Sequence, residues 1–139
     1  MRTAVDSSVL LDVLQGHPEF GEDSRAELRR SYDAGALLAC DVVWAEVRAH
    51  FDQDDAFGET MEALGIRFDP LSADAAAMAG RLWRASRRTA TSRRDRVVAD
   101  FLIGAHALQQ ADAFLTRDSG FYRRHFRGLR VIHPGGRAD

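Results

Sequence analysis

Short apolar runs that stop at acids or hydroxyl residues, each leading into a stretch of helical periodicity, constrain this chain more than any other feature. Thr3-Ala4-Val5 ends at Asp6, and Ala113-Phe114-Leu115 ends at Thr116 with Asp118 two residues beyond. Ala36-Leu37-Leu38-Ala39 is a further run of the same kind, Ile66–Phe68 a weaker one, and Leu129–Ile132 the last. Between them lie segments whose apolar residues recur at helical spacing. Ser7–Gln15 places Val9, Leu10, Val13 and Leu14 on one stripe and stops at Gly16; Glu22–Ala34 stops at Gly35. Asp41 is expected to cap a helix through about Phe51, and Asp54–Leu64 to form another, closed by Gly65. Ser72 caps a long Ala-rich helix to about Ala90. Val97–Gln110 is expected to be helical, with Val97, Val98, Phe101, Leu102, Ala105 and Leu108 on its apolar face, and Ser119–Phe126 forms a short helix or turn.

Strands of three or four residues separated by helices read as an α/β fold, one domain with a central parallel sheet flanked by helices on both faces. The domain is expected over residues 1–134, with 135–139 a flexible tail after Pro134. A chain of 139 residues can bury such a core without disulfides. The single Cys40 allows no intramolecular bridge and no multi-cysteine zinc site, and a reducing cytoplasm is the expected compartment. No apolar run approaches the roughly 20 residues that span a bilayer.

In an open parallel sheet, ligands bind beyond the carboxyl ends of the strands. That rule gives the acids a meaning. Asp6 and Asp118 are expected at this edge, with Asp100 near the start of one helix and Glu46 in the second turn of another. All four stand among apolar neighbours: TAVDSSVLL, VVWAEVRAH, RVVADFLIG and AFLTRDSGF. Removing an unpartnered carboxylate from water costs several kcal/mol, so convergent acids call for a cation. Arginine could serve some of them. A divalent ion with a preference for oxygen, Mg²⁺ or Mn²⁺, serves the group more economically.

Charge supports a polyanionic substrate. Every one of the 19 basic residues is Arg. The absence of Lys excludes Walker-A phosphate binding, Schiff-base chemistry and the receiver-domain phosphorylation site. Residues 1–80 hold six Arg against sixteen acids, whereas residues 81–139 hold thirteen Arg against five acids. A basic half beside a carboxylate cluster suits an enzyme acting on nucleic acid, although a solvated charged surface has the same composition.

Taken together, AVDSSVLLDVL, VVWAEV, VVADFLIGAHAL and AFLTRDSGFYRRHF followed by LRVIHP resemble, in order and spacing, the motifs of PIN domains. Within that family, the chain most resembles VapC-type toxins of bacterial toxin–antitoxin pairs. The resemblance implies an Mg²⁺- or Mn²⁺-dependent endoribonuclease whose acidic pocket is Asp6, Glu46, Asp100 and Asp118. It also implies Ser7, Ser8 and Thr116 as hydrogen-bonding support, an antitoxin partner and a homodimer. A non-catalytic RNA-binding module on the same fold is the alternative reading. Arg93 and Arg94, in the polar stretch Arg87–Arg96, are expected to contact RNA phosphates, and Arg117 to contact either RNA or the acids. Asp12 reads as surface or an ion-pair partner, Asp95 as a helix-start acid with Ser92, His106 as packed or exposed, Cys40 as core, and Trp44 and Trp83 as core in preference to a dimer contact.

Overall fold

The computed structural model describes residues 1–89 and 97–135. The chain runs β1 (Arg2–Val5), α1 (Ser7–Gln15), α2 (Gly21–Ala34), β2 (Ala36–Ala39), α3 (Asp41–Arg48), α4 (Asp54–Ala63) and β3 (Ile66–Phe68). It continues with α5 (Ala73–Thr89), α6 (Val98–Gln110), β4 (Ala113–Leu115), α7 (Ser119–His125) and β5 (Val131–Ile132). The five strands form one sheet in the order β3-β2-β1-β4-β5, and every neighbouring pair is parallel.

Consecutive strand residues point to opposite faces, so burial of both members of each pair shows that both faces are covered. Thr3, Ala4 and Val5 are all buried, as are Leu37 and Leu38, and Ala113, Phe114 and Leu115. Val9 and Leu10 of α1 and Phe101 of α6 reach the same core with no exposed surface. Around Phe101, aromatic rings meet edge to face, at 5.3 Å for Phe101–Phe121 and 4.7 Å for Phe114–Tyr122. Gly104 lets α6 approach α7, since a Cβ there would enter the Phe126 ring. Trp44 and Trp83 both pack against the core.

Several local expectations change. Cys40 occupies the N-cap position of α3; the Asp41 carboxylate instead accepts the Leu71 N–H at 2.9 Å, fastening α3 to the approach to α5. The helix ends at Arg48, short of Phe51. Val97 is the N-cap of α6, is 63% exposed and lies off the apolar face. The Ser72 cap is present, its hydroxyl accepting the Ala75 N–H at 3.0 Å. Among the described residues, no helix is long and apolar enough to cross a membrane. The expected tail falls almost wholly outside the described residues, as do Ser92 and Asp95.

Candidate active site

From β1 the chain returns to β2 and then β3 on one side, while β4 and β5 lie on the other, so the order reverses between β1 and β4. A crevice opens at such a reversal, beyond the strands' carboxyl ends. Asp6 and Thr116 directly follow the two strands at this reversal, stitched by a hydrogen bond from the Asp6 N–H to the Leu115 carbonyl at 2.9 Å.

Asp6 is the N-cap residue of α1, a place where a carboxylate ordinarily accepts an N–H of the first helical turn. Here no side-chain cap bond forms. Oδ2 instead accepts the Thr116 hydroxyl at 2.7 Å and the Ser8 hydroxyl at 3.1 Å. Thr116 Oγ1 in turn accepts the Asp118 N–H at 3.0 Å. One hydroxyl thereby joins the end of β1 to the start of α7 and fixes the Asp6 rotamer.

Glu46, exposed on α3, is drawn to the same edge by the Ser7 hydroxyl, which donates to Oε1 at 2.9 Å. Burial pushes the Asp6 carboxyl above its ordinary value; hydrogen bonds from Thr116, Ser8 and Ser7 work against the shift, and the charge of Glu46 adds to it. Among the described residues neither Asp6 nor Glu46 has an arginine or histidine partner. This is the donor chemistry that a hard divalent ion suits: oxygen only, anionic, oriented by hydroxyls and uncompensated.

Asp100 is half-buried in the first turn of α6, and Asp118 is half-buried at the N-cap of α7. The structure joins Asp6, Ser7, Ser8, Glu46, Thr116 and Asp118 through the contacts above. Among the described residues, no three acids, histidines or cysteines already stand at spacings that would hold a metal ion. Arg93 and Arg94 lie outside the described residues, and Arg87 of the same stretch sits 5.0 Å over the Trp83 ring.

Arg117 is a counter-charge, but to an acid outside the four. Its Nε and Nη2 donate to Asp12 at 2.7 and 3.0 Å, and its guanidinium lies 4.3 Å over Phe20. Asp12 is 3% exposed and also accepts the Ser24 hydroxyl at 2.9 Å. This clamp binds the loop between Thr116 and Asp118 to α1 and α2. The sequence signal was the placement of Asp12 inside the apolar run VLLDVL, where burial demands a partner. His106 is buried on α6, its Nε2 2.8 Å from Asp69 Oδ2 and away from the acids named above. Cys40 is buried, and burial raises its thiol pKa.

No curated protein sequence matches the chain. Solved structures do. A chain of the VapBC2 complex from Rickettsia felis, bound to promoter DNA, superposes with a TM-score of 0.71 at 15% identity, covering 96% of this chain and 98% of that one. VapBC-1 of nontypeable Haemophilus influenzae gives 0.70 at 12% identity, covering 97% and 99%. VapC20 of Mycobacterium tuberculosis, described as a sarcin–ricin loop cleaving toxin, gives 0.51 at 13%, covering 81% and 86%. At these identities the likeness is one of fold. The PIN domain family matches residues 3–126, a span that contains all four acids, and the chain belongs to that family.

Proposed function

We propose that the protein is a metal-dependent endoribonuclease, the toxin of a toxin–antitoxin pair. The observation that carries this reading is the Asp6 carboxylate: buried at the β1/β4 reversal, gripped by Thr116 and Ser8, facing the charge of Glu46 and paired with no cation among the described residues. A protein that needed only a stable fold gains nothing from an uncompensated buried acid.

Asp6, Glu46, Asp100 and Asp118 are the residues that would hold Mg²⁺ or Mn²⁺. Such an ion, when bound, would acidify a coordinated water and neutralise charge on a phosphodiester oxygen. The chain's own task is to keep its carboxylates ionised and pointed. Thr116 and Ser8 donate to Asp6 and so favour its anionic form, while Ser7 restrains Glu46, whose side chain would otherwise move freely in water. Because burial opposes ionisation of Asp6, acidification should weaken metal binding.

The solved relatives support the biological setting: two are described as VapBC structures and one as a sarcin–ricin loop cleaving toxin. By extension, an antitoxin partner, a homodimer and a cytoplasmic location are proposed for this chain. A non-catalytic RNA-binding module is favoured only by the lack of a preformed three-ligand metal cluster among the described residues. Incubating the purified protein with RNA and Mn²⁺ separates the two readings. Cleavage lost in Asp6→Asn supports the nuclease, and RNA binding without metal-dependent cleavage supports the module.

A further inference from the structure

The strand order sets an acid-rich helix and an arginine-rich segment on opposite sides of β1. β2 and β3 lie on one side of β1, and β4 and β5 on the other. On the β3 side, α4 and the turn before it expose Asp52, Asp54, Asp55, Glu59 and Glu62. Of these five, Asp54 alone has an ion-pair partner among the described residues, Arg48 at 2.6 Å.

The β5 side is the reverse. Residues 119–135 contain Arg123, Arg124, Arg127 and Arg130 and no acid. Arg124, Arg127 and Arg130 are exposed, and none of the three forms an ion pair among the described residues. Asp118 is the N-cap of the helix that carries Arg124, so the seven helical residues lead away from the acidic edge over about 10 Å. Gly128, at φ 86°, then turns the chain into β5 past Arg127 and Arg130. Arg130 lies against the N-terminus, its Nη1 3.3 Å from Met1 Sδ. The basic face therefore begins about 10 Å from Asp118, near the far end of α7, and continues along the β5 flank toward the amino end of β1.

A phosphodiester chain reaching the acidic edge is repelled by the carboxylates of α4 and attracted by the arginines of α7 and the turn into β5. We propose that the face formed by α7 and the turn into β5, through Arg124, Arg127 and Arg130, binds the phosphate backbone of single-stranded RNA flanking the cleaved bond. Arginine suits this task, because its fork can contact two phosphate oxygens and stays charged at any working pH. The proposal rests on the endoribonuclease reading and adds to it the direction in which the substrate lies.

The test is binding of a fluorescent single-stranded RNA, followed by anisotropy in EDTA across a salt series. The triple variant Arg124→Gln, Arg127→Gln, Arg130→Gln is compared with the unaltered protein and with a charge-matched control, Arg25→Gln, Arg29→Gln, Arg67→Gln. Each lost phosphate contact lowers the slope of log K against log salt by about 0.7 for single strands, so the triple variant should lose about 2. Its affinity would then fall about 18-fold less than that of the unaltered protein between about 50 and 200 mM salt. A shift confined to the triple variant supports the proposal. An unchanged slope, an equal loss in the control, or no RNA binding by the unaltered protein overturns it. Mn²⁺-dependent hydrolysis of bis(p-nitrophenyl) phosphate by the unaltered protein, measured alongside, shows whether the nuclease reading falls with it.

Discussion

Breaking the pair between Asp12 and Arg117 should destabilise the protein unequally from its two ends. Asp12 is 3% exposed, whereas the Arg117 side chain keeps 31% of its surface in water. Removing one partner of a buried pair costs about 3–5 kcal/mol, chiefly because the other charge stays behind unpaired. Arg117→Ala strands a carboxylate that has no route to solvent and retains only the Ser24 hydroxyl, so about 4 kcal/mol is expected. Asp12→Ala strands a cation that can swing outward over Phe20, and only part of the penalty applies, about 2–3 kcal/mol including the orphaned Ser24 hydroxyl. For a domain of this size 1 kcal/mol moves Tm by about 3–4 °C, so the losses are about 14 and 9 °C. Urea or thermal denaturation followed by circular dichroism reads both values. The double variant should cost less than the sum by 1 kcal/mol or more, because the residues share two hydrogen bonds. Equal losses below about 1 kcal/mol, or strict additivity, would show that the clamp is only a surface ion pair.

Other expectations concern the acidic edge and the core. For the metal-free protein, the native Asp6 carboxyl holds its proton more tightly than the unfolded chain, whose value is near 3.8. Stability contributed below that pH is lost as pH rises through the higher native value, so Asp6→Asn should flatten the pH profile of Tm and raise Tm at neutral pH. A variant less stable than the unaltered protein at pH 7 would contradict this. Thr116→Val removes the hydroxyl that bonds both Asp6 and the Asp118 N–H, and should cost about 1–3 kcal/mol and weaken Mn²⁺ binding about 10–100-fold by calorimetry, with Thr116→Ser restoring most of both. Gly104→Ala drives a methyl into the Phe126 ring, so a loss of about 1–3 kcal/mol is expected in denaturant titrations.

The strands and most helix limits were legible because local signals coincided. At Ser7–Gln15 the apolar stripe and Gly16 agree, and Gly16 takes up the left-handed conformation at φ 61° that a C-cap favours. Strand polarity was legible as well, since every connection holds at least one helix and none is a tight hairpin, which leaves a parallel sheet as the simple solution. Asp41 misled because helix-start chemistry describes the residue type, whereas the carboxylate found a longer-range partner in Leu71. Val97 misled because periodicity continues past the point where the backbone leaves the helix.

At the site, the strand-end positions of Asp6 and Thr116 follow from their runs. Their mutual hydrogen bond does not, because it depends on β4 pairing with β1 rather than with the strand preceding it in sequence. The same crossover makes Arg117 the partner of Asp12, 105 residues away. The charge split was visible in the sequence as a difference between halves, and only the strand order shows that α4 and the segment from α7 to β5 lie on opposite sides of β1.

Metal-dependent RNA cleavage is read most directly by incubating the purified protein with structured RNA and Mn²⁺ or Mg²⁺, beside EDTA and Asp100→Asn, with the ends of the products mapped. The expected products are internal fragments with defined ends that require the metal and vanish in the variant, while circular dichroism shows the variant folded. Fragments that persist in EDTA, or full activity in folded Asp100→Asn, would contradict the nuclease reading.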